Sequence, residues 1–298
     1  MIATIGFFDG VHEGHRFLLR QLVSEAKRCA KKSMVITFKE HPRIVLRKDY
    51  IPELLTTNSE KVSLIKQLGV DEVVFIEFTE EFQHLTAQDF MRTYLREQLG
   101  VSKLLVGYDH HFGCNQNESF HDYERYGKEL GIEVILCEGH KVEDAKVSST
   151  MVRKALNAGE MRLASQLLGY DYQLNGVVVS GRKVGRRLGF PTANLQLECE
   201  HKLVPPLGVY AVWAIVEGKN YPAVLNIGRR PTLDNGDDVS IEVHLFHFEG
   251  ELYERELSVT FVVRMRDEMC FPSLEALQEQ IQKDSEMAQC ILFDSDTH

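Results

Sequence analysis

The hydrophobic residues change their spacing once, near the middle of the chain, and that change constrains the fold more than any single motif. In the first half, short β-rich apolar runs (Ala3–Phe8, Met34–Phe38, Glu72–Phe78, Lys103–Gly107 and Ile132–Cys137) alternate with stretches of helical period. Apolar runs this short read as strands buried on both faces, which is the habit of a parallel sheet. Between them, His15–Lys32 sets Leu18, Leu19, Leu22, Val23, Ala26 and Ala30 on one helical face. Thr57-x-x-Glu60 predicts a capping box opening a helix that stops near Gly69. Thr86-x-x-Asp89 and Ser119-x-x-Asp122 predict two more helix starts, with Gly100 and Gly131 near the ends. Strand and helix in strict alternation predict a mostly parallel sheet with helices on both faces.

After Val147 the texture differs. Ser148–Gly169 reads as one or two short helices closing at Gly159 and Gly169. Beyond Asp171 the pattern is β-dominated: Leu174–Ser180, Val209–Val216, Tyr221–Ile227, Ser240–Phe248 and Leu257–Val263 are separated by Gly, Pro, Asn and Asp. Short strands of this kind predict an antiparallel barrel or sandwich. Ser273–Ile291 reads as an amphipathic helix with Leu274, Leu277, Ile281, Ala288 and Ile291 facing inward. The expected boundary lies between Leu156 and Tyr172, giving domains at 1–160 and 161–298.

The 298 residues suffice for two such cores, and 44% hydrophobic with 26% charged residues is a globular balance. A formal charge of −10 argues against duplex nucleic acid or an anionic membrane as a partner. A small phosphorylated ligand, bound by a local cluster of cations and amides, is compatible with it. The six cysteines are scattered without a C-x-x-C pair, the usage of reduced thiols in a cytoplasmic protein. No apolar run approaches the roughly 18 residues of a membrane span. Met1 runs into a strand-like segment with no basic leader, which argues against a signal peptide.

Two regions carry chemistry. The first is Gly6–His15, GFFDGVHEGH, where glycines follow the first strand and feed a helix start. Open α/β sheets bind anions at such a place. His12 and His15 fall on one side of that start; metal ligands would need a third donor at recognisable spacing, and His41 or His110-His111 offer only weak company. Taken alone, the segment reads equally as a turn with two solvated histidines. Ser148-Ser149-Thr150 then leads into a helix bearing Arg153, where hydroxyls, amides and a guanidinium could clamp a triphosphate. An isolated stretch of this kind is also an ordinary N-cap followed by a solvent-facing arginine.

The second region is Gly181-x-x-x-Gly185-x-x-x-Gly189, interleaved with Arg182, Lys183, Arg186 and Arg187 and running into Phe190-Pro191-Thr192-Ala193-Asn194. Thr192 and Asn194 offer oxygens two residues apart, suited to a hard cation such as Mg²⁺. Alone, this too reads as a basic loop and a proline turn. Asn226 sits in a polar turn after a strand, and Glu242 in an alternating strand could accept the proton of an attacking hydroxyl, or simply face solvent.

The two phosphate-type segments of the first half together resemble the signature pair of the nucleotidyltransferase family. More narrowly, GFFDGVHEGH, TFKEHP (Thr37–Pro42), LLTTNSEK (Leu54–Lys61) and LLVGYDHHFG (Leu104–Gly113) resemble the FMN adenylyltransferase half of bacterial FAD synthetases. GRRLGFPTAN, NIGRRPT, SIEVHLFHFEGELY and RMRDEMCFPSLEALQEQI resemble riboflavin kinase across nearly all of the second half. In this order, the chain is similar to the bifunctional riboflavin kinase/FMN adenylyltransferase family.

The resemblance implies a nucleotidyltransferase-like (Rossmann-like) α/β domain, then a small antiparallel Greek-key β-barrel of the riboflavin kinase type with a C-terminal helix. It implies that His12 and His15 contact the α- and β-phosphates of ATP, with Gly6, Phe7, Asp9, Gly10, Gly14, Ser148, Ser149, Thr150 and Arg153 around the same nucleotide. His41, Pro42, Asp109 and Phe112 would meet FMN. In the second half it implies that Thr192 and Asn194 hold Mg²⁺ and ATP phosphate. Gly181, Lys183, Gly185, Arg186, Gly189, Pro191 and Asn226 would hold ATP, and Glu242 would be the general base. The ligands implied are riboflavin, FMN, FAD, ATP, ADP and pyrophosphate, with no nucleic acid and no membrane. Departures fall in the first half: Phe7 stands where many relatives have Asn, Lys39-Glu40 where they have an acidic residue and Pro, and Gln116 where they often carry Arg. With the short N-terminus, these motivate a second reading, a working kinase with a weak or non-catalytic N-terminal binding module. A third, a nucleic-acid-binding barrel, is opposed by the acidic charge.

Overall fold

The computed structural model describes residues 1–40, 53–107, 112–114, 118–137, 141–142, 145–181, 189–229 and 239–294. The chain divides into two compact units, Met1–Ser149 and Thr150–His298.

In the first unit, β1 (Ile2–Ile5), β2 (Ser33–Phe38), β3 (Glu72–Ile76), β4 (Lys103–Gly107) and β5 (Glu133–Cys137) form one sheet in the order β3-β2-β1-β4-β5. Every neighbouring pair is parallel. Alternate strand residues serve opposite faces. Ile2, Val35 and Leu105 pack with Leu19, Leu22 and Ala26 of α1 (Glu13–Arg28) and Ile65 of α2 (Asn58–Gln67). On the other face, Ala3, Ile5, Met34, Ile36, Leu104 and Val106 meet Phe90, Met91, Leu95 and Tyr123. Those partners come from α4 (Ala87–Phe90), the π-helical Met91–Gln98 that continues it, and α5 (Phe120–Leu130). A short α3 (Glu80–Gln83) precedes them, and β6 (Lys141–Val142) pairs with β7 (Ala145–Lys146). Burial on both faces is why the central strands β1, β2 and β4 read as unbroken apolar runs; the edge strands β3 and β5 are only half-buried, and Leu136 of β5 is exposed. The strand order reverses direction between β1 and β4, and the crevice at such a switch point is where this architecture takes ligands.

The expected caps are present: Thr57 and Glu60 form a reciprocal capping box, as do Ser119 and Asp122, and Thr86 Oγ1 accepts the Asp89 amide at 3.1 Å. Three expectations need correction. The first strand stops at Ile5, because Phe8 (φ 52°) and Gly10 (φ 78°) take left-handed backbone that no strand contains. The third stops at Ile76 rather than Phe78. Ala30 lies beyond the end of α1 and is exposed.

Helix α6 (Ser149–Asn157) leads from the first unit into the second and is followed by α7 (Met161–Leu168); a glycine with positive φ follows each, Gly159 and Gly169. Next come β8 (Gln173–Val179), β9 (Ala193–Leu197), β10 (Gly208–Val216), β11 (Lys219–Arg229), β12 (Val239–Leu245) and β13 (Glu256–Arg266). They close into an antiparallel barrel in the order β10-β11-β12-β9-β8-β13. Strand β13 returns beside β10 after the meander β10-β11-β12, which is a Greek key. Tyr210, Val212, Leu225, Val243, Val259 and Phe261 are buried along its strands. Helix α8 (Leu274–Asp294) sets Ala288 and Leu292 against Ala211 and Phe246. Here Leu274, expected to face inward, is 59% exposed, while Asp284 and Ser285 are buried. Arg266 at the end of β13 explains it: the Nε and Nη2 edge of its guanidinium binds the Asp284 carboxylate, at 3.0 and 2.7 Å, and turns that face of the helix inward.

Candidate active sites

In the first unit, the loop leaving β1 stays on the sheet. The Gly6 amide donates to the Ile36 carbonyl at 3.1 Å, and Thr37 Oγ1 donates to the Phe7 carbonyl at 3.1 Å. Asp9, 3% exposed, turns its carboxylate inward and accepts the amides of Leu55 (3.0 Å) and Thr56 (3.1 Å). The Gly10 amide returns a bond to Thr56 Oγ1 at 3.0 Å. So LLTT is the strap that shapes the glycine loop, and Asp9 is its anchor.

His12 caps α1: its backbone is extended and its Nδ1 accepts the His15 amide at 3.4 Å. The two imidazoles stack with centroids 3.6 Å apart and planes 19° apart. His15 meets the edge of Phe8 at 5.1 Å. A side chain at Gly14 would lie 3.2 Å from the His12 ring and 3.3 Å from the Val147 carbonyl, so the glycine eases the close passage of this turn beneath 147–149. Ser149 Oγ donates to the Asp9 carbonyl at 3.0 Å. H-x-G-H and the start of S-S-T are therefore neighbours, at the N-terminus of a 16-residue helix. Ser148 is half-buried next to them; Thr150, exposed, and Arg153, half-buried, lie in α6 within the second unit. Among the described residues, no group of three or more His, Cys, Asp or Glu could hold a metal ion, so the histidine pair has no metal-ligand company there.

One residue of this region had no role in the sequence reasoning. Lys61 of LLTTNSEK is 1% exposed, with its Nζ 4.0 Å from the centroid of the Phe7 ring. Burial pushes its pKa down to about 8, against the pull of the Asp9 carboxylate. A lysine amid polar helix residues reads as solvated; only the loop folded over it buries it. Phe112 stacks on Tyr123 at 4.3 Å and trades backbone bonds with that tyrosine's hydroxyl, so its ring belongs to the core. His41, Pro42 and Asp109 lie outside the described residues.

In the barrel, strand register sets Asn226, Glu242 and Asn194 side by side across β11, β12 and β9. Thr192 Oγ1 donates to Glu242 Oε2 at 3.3 Å. A Cβ at Gly181 would come within 2.1 Å of the Asn194 amide nitrogen, so the glycine makes room for that amide. Two cavities flank this row. One, of about 320 Å³, is lined by Phe190, Thr192, Asn226, Glu242 and His244, and by Arg266 and Asp284 from β13 and α8. The other, of about 610 Å³, is lined by Gly189, Pro191, Thr192 and Ala193 together with Phe248, Leu252 and Tyr253. Thr192 belongs to both walls. Lys183, Gly185 and Arg186 lie outside the described residues.

Each site coincides with a family match. Residues 1–151 match the FAD synthetase family and residues 168–292 the riboflavin kinase family. The chain belongs to the bifunctional riboflavin kinase/FMN adenylyltransferase family. A member from Pseudomonas fluorescens is 38% identical over 97% of this chain and 92% of its own length. Members from Escherichia coli K12 (38%, covering 95% and 90%) and Bacillus subtilis (35%, covering 96% and 91%) bear the same name. A crystal structure named as a macrolide-efflux protein from Streptococcus pneumoniae is 32% identical with a TM-score of 0.89, covering 97% of this chain and 93% of that one. The two share their fold; among the described residues of this chain no helix is long and apolar enough to cross a membrane. Both activities named for the family have their domain in this chain.

Proposed function

We propose that the barrel, within 161–298, transfers the γ-phosphoryl group of ATP to the 5′-hydroxyl of riboflavin, and that the α/β domain, within 1–160, joins the FMN so formed to the AMP moiety of a second ATP. The observation that carries the kinase assignment is Thr192 on the wall common to two cavities, its hydroxyl 3.3 Å from Glu242. Riboflavin fills the cavity that contains Glu242, and ATP fills the one behind Gly189–Ala193. Glu242 takes the proton of the ribityl hydroxyl as its oxygen attacks the γ-phosphorus, and ADP departs with the bridging oxygen. Asn226 and Asn194, flanking the carboxylate, orient the reacting oxygens. The Thr192 hydroxyl and Asn194 carbonyl are neutral, hard oxygens beside a carboxylate, a donor set that fits Mg²⁺ with several waters retained. The cation, when bound, neutralises phosphate charge.

In the α/β domain, His12 Nδ1 accepts a hydrogen bond, so the neutral ring carries its proton on Nε2, a donor suited to a phosphate oxygen. His15, stacked on it, and the amides at the start of α1 complete an anion cradle, with Ser148, Ser149, Thr150 and Arg153 as the clamp on the triphosphate. An oxygen of the FMN phosphate attacks the α-phosphorus of ATP, the bond to the β-phosphate breaks, and pyrophosphate leaves. The chain supplies position and charge, not a covalent intermediate. His41, Pro42 and Asp109 form the flavin side in this reading, with the Phe112 ring supporting it from the core. The rival reading of a merely binding N-terminal module is not favoured: the bifunctional relatives align over both domains. Cytoplasm, where ATP and reduced thiols coexist, is the proposed place of action.

The test is a time course on the purified protein with ATP, Mg²⁺ and riboflavin, resolving the three flavins by chromatography. FMN should rise first and FAD follow. FMN alone, even with FMN supplied as substrate, would refute the adenylyltransferase half.

A further inference from the structure

Glu242 and His244 stand two residues apart on β12, so both side chains leave the same face of the strand and both line the smaller cavity. His244 Nδ1 lies 2.8 Å from the Pro191 carbonyl oxygen. A carbonyl only accepts, so the ring donates from Nδ1. The imidazole is wedged edge-on between Phe190, at 5.6 Å and 79°, and Phe246, at 5.5 Å and 81°. The backbone ladder between β12 and β9 pairs Glu242 with Asn194 and Val243 with Ala193, and it goes no further. The turn Phe190–Thr192 therefore hangs from β12 by side chains: His244 to the Pro191 carbonyl, and Thr192 to Glu242.

We propose that His244 is a positioning residue of the kinase reaction, whose Nδ1–H bond to Pro191 fixes the turn that holds the Thr192 hydroxyl between the two cavities. The proposal rests on the kinase reading of this site. Without the bond both cavities still fill, but the threonine drifts relative to Glu242. Misplacement of this kind appears in kcat rather than in substrate binding.

The experiment compares His244→Ala, His244→Asn and Glu242→Gln in the full chain, with initial rates of riboflavin phosphorylation and, in the same preparations, of FMN adenylylation. His244→Ala should lower kcat for phosphorylation about tenfold, the worth of one hydrogen bond. The KM for riboflavin should move much less, and FMN adenylylation should be unchanged. His244→Asn, which keeps a donor N–H near the position of Nδ1, should recover most of the loss. A loss confined to the riboflavin KM would mean that the imidazole touches flavin and would overturn the proposal. An asparagine variant as poor as the alanine one, or an alanine variant with wild-type kcat, would overturn it too. Glu242→Gln reports on the underlying reading: if it phosphorylates riboflavin normally, the site itself is misassigned and the proposal falls with it.

Discussion

An ammonium group 4.0 Å from the centroid of the Phe7 ring gains from the ring's negative face but has lost its water. The unfolded chain holds the Lys61 proton up to its ordinary pKa of 10.5, the folded chain only up to about 8. Below pH 8 this difference costs the fold about 3 kcal/mol, and the cost fades as pH rises from 8 towards 10.5, where the unfolded chain alone still binds the proton. Lys61→Met should thus stabilise the N-terminal unit by about 1–3 kcal/mol at pH 7, with the gain narrowing at pH 9 and 10 in denaturant titrations. No gain at pH 7 would show that the ammonium is well solvated. At Gly181 the expectation is the reverse: Gly181→Ala must push the Asn194 amide aside. It should cost riboflavin phosphorylation about ten- to a hundredfold and leave FMN adenylylation intact when the two are assayed separately. His12, His15, Thr192 and Glu242 stand out in the sequence as candidates because each sits in a motif whose residue types suggest a task. Lys61 and His244 were not legible as functional candidates: both acquire their settings from partners far along the chain, Phe7 for one and Pro191 for the other.

Helix α2 shows how an element's start can be read from four letters and then matter beyond itself. Thr57 closes the capping box, and the two residues before it are the ones that grip Asp9. Thr57→Ala should cost about 1 kcal/mol in the N-terminal unit. It should also slow FMN adenylylation while riboflavin phosphorylation holds, which thermal denaturation and parallel rate measurements would reveal. Helix starts and buried strands were legible in this way because caps and apolar runs are local signals. Strand β9 was not: it is five residues long, follows Phe190-Pro191-Thr192, and carries Asn194, all of which read as a turn. Only its neighbours β8 and β12, from both sides, make it a strand. The inward side of α8 was half-legible for a similar reason, since Asp284 is buried by its pairing with Arg266, and an apolar count has no place for a carboxylate.

The molecule as a whole divides its labour between two folds with separate cores, and its intermediate, FMN, is a stable compound. Two disabled copies should therefore complement each other. Glu242→Gln should make no FMN from riboflavin yet still convert supplied FMN to FAD; His15→Ala should stop at FMN. A mixture of the two proteins should carry riboflavin to FAD through FMN free in solution, followed by chromatography of the flavins. Failure of the mixture, with each partner active on its own substrate, would mean that FMN does not pass through solution. The two-fold organisation itself was legible from the single change in hydrophobic spacing, since sheet-and-helix alternation and serial strands bury different faces.

Thr192, on the wall common to both barrel cavities, has a thermodynamic consequence. A side chain that two ligands touch cannot serve one without being felt by the other. Whatever factor a bound nucleotide applies to the affinity for riboflavin, riboflavin must apply in equal measure to the affinity for nucleotide. The order in which the two arrive is then a matter of kinetics alone, and in the proposed reading the Thr192 hydroxyl is the place where their two binding equilibria become a single one.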